Sequence, residues 1–119
     1  MLTLPIKKKW FDMIASGEKY EEYREIKPYY CTRFKKLFLD GVTKGEAWIR
    51  PPRRTIRFRN GYSSKSPMIE AECTMHLGNG VEEWGAEPGK RYIILTIYKY
   101  KIIKTEDEND ISKRNTKET

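Results

Sequence analysis

Within eight residues, Gly17-Glu18-Lys19-Tyr20-Glu21-Glu22-Tyr23-Arg24, the chain sets a lysine, a glutamate and an arginine behind a glycine, in the spacing G-x-K-x-x-E-x-R. Each type offers distinct chemistry. A lysine at position 19 can hold a phosphate, or serve as a base if burial lowers its pKa. Glu22 can accept hydrogen bonds from a base edge or relay a proton. Arg24 can clamp a phosphate or stack on a base. The competing reading is structural: a Lys19–Glu22–Arg24 ion cluster that orients one element against another.

The elements around this run decide where its side chains point. Residues 2–6 alternate apolar and polar and predict a short strand, with Pro5 at an edge or strand end. Trp10, Phe11 and Ile14 fall at helical spacing, so a helix is expected over residues 8–16, with Gly17 as its left-handed cap. On a strand over residues 19–26, Tyr20, Glu22, Arg24 and Ile26 share one face, and Lys19 stands at the mouth just after the turn. Cys31, Phe34, Leu37 and Phe38 predict a second helix over residues 29–39. Trp48 and Ile49 read as a short strand, broken by Pro51-Pro52.

Residues 55–62 and 69–75 alternate and form a hairpin around the turn at 63–67. Its outer faces carry arginines on one strand and glutamates on the other, which predicts cross-strand ion pairing for at least one arginine. Gly78-Asn79-Gly80 reads as a turn, and residues 81–88 as a loop or short helix. Residues 91–103 are the strongest strand; its start is apolar on both faces and should be interior. The pattern is a mixed α+β domain over residues 1–104. Its expected architecture is a small, partly open β-barrel of about five strands with two flanking helices. The polar residues 105–119 read as a disordered charged tail.

A chain of 119 residues holds one domain. Hydrophobic residues are only 38%, but 13% aromatics let a small core bury enough area. The net charge is +7; residues 104–119 carry four cations and five anions, a net −1, which leaves the rest at +8. Between Lys44 and Lys65, Lys44, Arg50, Arg53, Arg54, Arg57, Arg59 and Lys65 face one acid, Glu46. Such a stripe suits a polyanion. Trp48 and Tyr62, beside it, are stacking candidates, whereas Trp10 reads as core. Two cysteines, Cys31 and Cys73, lack metal or disulfide spacing and read as buried free thiols of a reducing compartment. No leader or membrane-length run is visible, so a cytoplasmic protein is expected. The single His76 has no partner histidine, and no metal or cofactor is expected.

An amphipathic first helix, then Gly17, Lys19, Glu22 and Arg24, then a β-rich remainder resembles the ASCH (activating signal cointegrator homology) domain of the PUA-like superfamily. All four fixed positions of that family's G-x-K-x-x-E-x-R motif match, a coincidence expected roughly once in a thousand chains of this length. The likeness is specific over residues 2–24 and rests on strand order alone to about residue 104. It implies a PUA-like barrel with the motif facing a cleft, and RNA or a nucleoside as ligand. Some members are amidohydrolases of acylated cytidine. In that branch a threonine follows the lysine by three residues, where this chain has Glu22, and a distant glutamate takes part, a place open to Glu82, Glu83 or Glu87.

The expected function is an RNA- or nucleotide-binding module centred on Lys19, Glu22 and Arg24, with Arg57, Arg59 and Tyr62 at the rim. The first alternative is a small hydrolase, a nucleoside amidohydrolase or ribonuclease, with Lys19 and Glu22 catalytic. The second is a regulatory module that docks another protein on the basic stripe.

Overall fold

Five strands build one sheet in the order β1-β3-β4-β5-β2, in a computed structural model that describes residues 1–103, except for the side chains of Lys44, Ala47 and Trp48. The expected tail at 105–119 lies outside the described residues, as does the side chain of Trp48. The strands are β1 (Thr3–Ile6), β2 (Glu21–Arg24), β3 (Arg54–Asn60), β4 (Met68–Asn79) and β5 (Arg91–Ile103). β1 runs parallel to β3; the other three pairings are antiparallel. The helices are α1 (Lys8–Ala15), α2 (Pro28–Leu39) and, between α2 and β3, a short α3 (Lys44–Ile49), where a strand was expected.

Local chemistry explains α3. Thr43 accepts a hydrogen bond from the Glu46 backbone at 3.2 Å, and the Glu46 carboxylate accepts one from the Thr43 backbone at 3.3 Å. This reciprocal cap satisfies two donors that a helix start otherwise leaves bare. α2 starts with Pro28 in its first turn, where a missing N–H costs nothing.

The hairpin of β3 and β4 forms with Arg57 opposite Glu70 and Thr55 opposite Glu72. β4 is longer than expected and takes in Gly78 and Asn79, so the turn there begins only at Gly80. β5 is interior, and its two apolar faces have two destinations. Ile93, Leu95 and Ile97 join the main core with Phe11 and Ile14 of α1 and Phe34 and Phe38 of α2. Tyr92 and Ile94 pack on the other side with Ala86 and Tyr23. Cys73 is buried, but Cys31 is only partly so; both thiols are free.

The sheet does not close into a barrel. β1 and β2 are its two edges and are not paired with each other. The Arg24 side chain crosses between them: from β2 it donates through Nη2 to the Pro5 carbonyl of β1 at 2.9 Å. Among the described residues, no helix is long and apolar enough to cross a membrane.

Candidate functional site

Gly17 ends α1 at φ 85°, a conformation that side chains with a Cβ rarely adopt. Its N–H bonds the Ile14 carbonyl, and the Lys19 N–H bonds that of Met13, both at 3.0 Å. These bonds turn the chain back toward β2 and send the Lys19 side chain inward. Lys19 therefore does not stand at a mouth. Its side chain has 0% exposure, and its amine donates to the Trp84 carbonyl at 2.7 Å. The same nitrogen lies 3.3 Å from Glu22 Oε1, 4.7 Å from the centre of the Tyr23 ring and 5.2 Å from that of Trp10. Burial lowers its pKa, against the pull of the Glu22 and Glu21 carboxylates.

Glu22 links the two cations. Its Oε2 accepts from Arg24 Nη2 at 3.0 Å, as their shared strand face requires. Arg24 also donates through Nη1 to the Tyr30 hydroxyl of α2 at 3.3 Å. Thus Lys19 ties β2 to the loop after β4, while Arg24 ties it to β1 and α2. The Arg24 Nε is buried without a hydrogen-bond partner. Lys19 and Arg24 against Glu22 leave one surplus positive charge in a poorly hydrated place.

The loop that supplies the Trp84 carbonyl is itself held by β2. The Val81 N–H donates to the Tyr23 hydroxyl at 2.8 Å, and that hydroxyl donates to Glu21 Oε1 at 2.7 Å. Burial pushes the Tyr23 phenol well above its ordinary value. A 3₁₀ turn over Glu82–Trp84 then ends at Gly85 with φ 106°, where an added Cβ would lie 3.0 Å from the Trp10 ring. At Gly80 a Cβ would sit 2.6 Å from the Ala86 Cβ and 2.7 Å from the Tyr23 ring. Neither neighbour has room to yield, so Gly80→Ala should cost about 1–3 kcal/mol. Gly45→Ala, on open helix surface, should instead stabilise by about 0.4–1 kcal/mol. Urea unfolding of the two variants checks both signs; equal midpoints would contradict the tight loop.

A cleft of about 340 Å³ opens above the cluster. Glu22, Tyr23 and Arg24 line it from β2, Pro5 and Lys7 from β1 and its end, Trp10 from α1, Trp84 and Gly85 from the loop, and Tyr62 from the β3–β4 turn. Tyr62 is 89% exposed, so its ring is open to solvent at the rim. Tyr20 buttresses Trp84 edge-on, with ring centres 4.5 Å apart.

Of the residues singled out in the sequence, Glu22, Arg24 and Tyr62 line this cleft, and Lys19 is sealed beside it. Arg57 and Arg59 do not line it. Arg57 donates through Nε and Nη2 to Glu70 Oε1, both at 3.2 Å, and Lys101 reaches the same carboxylate at 3.3 Å. Slight burial pushes the Glu70 pKa up, but its bonds to Lys101 and Arg57 outweigh this and hold it below the usual range. Arg59 donates to the Met68 sulfur at 3.6 Å. Trp10, expected in the core, is half-buried and walls the cleft. Trp84 escaped sequence reading; its one signal was the adjacent Gly85. Glu82, Glu83 and Glu87 are exposed, and it is the backbone of their loop that meets Lys19. Among the described residues, no group of three or more metal-ligating side chains is assembled.

In comparisons with known proteins, no family model, curated protein or solved structure matches the chain at significance.

Proposed function

We propose that this chain is an ASCH-type module that binds a nucleotide, free or within RNA, in the cleft above Lys19, Glu22 and Arg24. The observation that carries this reading is the cleft's composition: aromatic walls from Trp10, Trp84 and Tyr62 beside cationic Lys7 and Arg24. Flat rings suit any base by stacking, and a volume of about 340 Å³ falls in the range of small-ligand sites. Glu22, which lines the cleft, has lone pairs beyond those given to Lys19 and Arg24 and offers an acceptor to a base edge. Lys7, exposed on the rim, is the better phosphate contact, because both terminal nitrogens of Arg24 are already engaged. In this reading the open sheet is a PUA-like barrel left unclosed, with Arg24 spanning the gap between its edges, and the two free thiols suit a cytoplasmic setting.

Fluorescence anisotropy with labelled nucleotides and short RNA tests this. Tyr62→Ala is expected to weaken binding roughly 5- to 150-fold, from ~1–3 kcal/mol of stacking. Lys7→Ala should lower the log–log salt slope by about 0.7. Affinity unchanged in both variants would sink the proposal. Both side chains are exposed, so neither substitution threatens the fold.

A hydrolase is the second reading, favoured by one observation: the Lys19 pKa is lowered by burial, with Glu22 at 3.3 Å. Against it, the amine has no solvent exposure and is committed to the Trp84 carbonyl. Acylated cytidine hydrolysed no faster than in buffer would remove this reading.

A further inference from the structure

A second cleft, about 630 Å³, lies at the other end of β1, between Leu2, α2 and the start of β3. Arg33, Lys36 and Arg54 line it, with Asp40 as its one acid and Leu37 as apolar floor. Its cations differ from those of the hairpin. Arg57 pairs with Glu70 and Arg53 with Glu72, whereas Arg33, Lys36 and Arg54 have no carboxylate at salt-bridge distance among the described residues. Carbonyl groups aim two of them without neutralising them. Arg54 donates through Nε to the Leu37 carbonyl at 3.1 Å and through Nη1 to that of Arg53 at 3.0 Å. Arg33 donates to the Tyr29 carbonyl at 3.0 Å, and its guanidinium carbon lies over the Tyr29 ring, 3.5 Å from the centre. Three cationic side chains against one acid leave its side chains at a net +2. The carbonyl end of α2, worth about half a negative charge, offsets only part of it.

Two spacings along the chain relate residues at the two clefts. Pro5 lines the first and Leu2 the second, three residues apart along the β1 segment, or ~10 Å at the rise of a strand. Tyr30 touches Arg24 and Leu37 lines the second cleft, seven residues apart on α2, again ~10 Å at helical rise. That span equals roughly three stacked nucleotides at ~3.4 Å each.

We propose that Arg33, Lys36 and Arg54 hold the phosphodiester backbone of a single RNA strand, one of whose nucleotides occupies the first cleft. The ligand is then an oligonucleotide, and the proposal rests on the reading of the first cleft as a nucleotide site. Anisotropy with labelled single-stranded RNA of one, two, four and eight nucleotides, and with an RNA duplex, tests it on the full chain. Wild-type affinity should rise at least 10-fold from one nucleotide to four and then level off. Arg33→Ala/Lys36→Ala should abolish that rise, lower the salt slope for the four-nucleotide strand by about 1.4, and leave mononucleotide binding unchanged. Lys35→Ala, an exposed cation on the same helix outside the cleft, is the control for bulk charge.

Mononucleotide binding with no gain in length, or equal losses in the double variant and the control, would overturn this inference and leave the first cleft's reading intact. A gain in length that depends on Arg33 and Lys36 but ignores Tyr62→Ala would overturn the first reading, and the continuous track with it. Tighter binding to the duplex would overturn the single-strand assignment.

Discussion

Glu22→Ala is expected to lower folding stability by about 3–5 kcal/mol, the cost of removing one member of a buried ion pair. Glu22 gives one oxygen to each of two cations, and its side chain is only 8% exposed. Without it, Lys19 and Arg24 remain buried with like charge and little water between them. An exposed pair would lose less than about 1 kcal/mol. The double variant Lys19→Met/Glu22→Leu should lose less than Glu22→Ala alone, because it removes a charge along with its partner. Urea unfolding at pH 7 measures both, and a loss under 1 kcal/mol in Glu22→Ala would refute the buried cluster.

The same variant should gain stability as pH rises. Burial lowers the folded-state pKa of Lys19 from 10.5, opposed chiefly by Glu22; removing Glu22 lowers it further. The unfolded chain then binds the extra proton between the lowered value and 10.5. The penalty is therefore full below that window and relieved as pH rises through it. Glu21 remains nearby and limits the effect.

Alkali is expected to remove about 4 kcal/mol of stability between pH 9 and 12 through Cys73. Burial, helped by the Glu72 charge, pushes this thiol from 9.0 up to about 12. Three pH units at about 1.4 kcal/mol each give that figure. The folded state keeps its proton while the unfolded chain loses it, so the stabilisation is complete below pH 9 and lost as pH climbs to 12. Cys73→Ala should sacrifice some core packing at neutral pH but flatten this slope. Tyr23, also raised by burial, adds a separate loss that starts near pH 10 and persists in the variant. Parallel stability–pH lines for wild type and Cys73→Ala would show that the thiol meets water.

Regular periodicity made most elements legible. The 3.6-residue spacing of Phe11 and Ile14, and of Phe34 and Phe38, placed α1 and α2, and alternation placed the β3–β4 hairpin with its Arg57–Glu70 pair. The apolar start of β5 foretold its interior place, since both its faces are covered. α3 was missed because Trp48 and Ile49, just ahead of Pro51-Pro52, read as a short strand, although Thr43 and Glu46 stand at capping-box spacing. The expected barrel depended on where β1 and β2 would meet, and periodicity says nothing about long-range closure. Within the motif, the shared face of Glu22 and Arg24 was readable from strand alternation. The burial of Lys19 was not, because its acceptor is a backbone carbonyl 65 residues later. Trp10 was assigned by spacing to a buried face, yet Gly85 leaves room for its ring to stand beside an open cleft.

The pairing order of the sheet also bears on synthesis. β2 finds its neighbour at Ile93–Thr96 of β5, and β1 finds its own at Arg57–Asn60 of β3. The motif is thus made about 70 residues ahead of the strand that sets its geometry. A chain interrupted anywhere between residues 24 and 84 would carry Gly17, Lys19, Glu22 and Arg24, yet lack both the strand that aligns them and the carbonyl that receives the Lys19 amine.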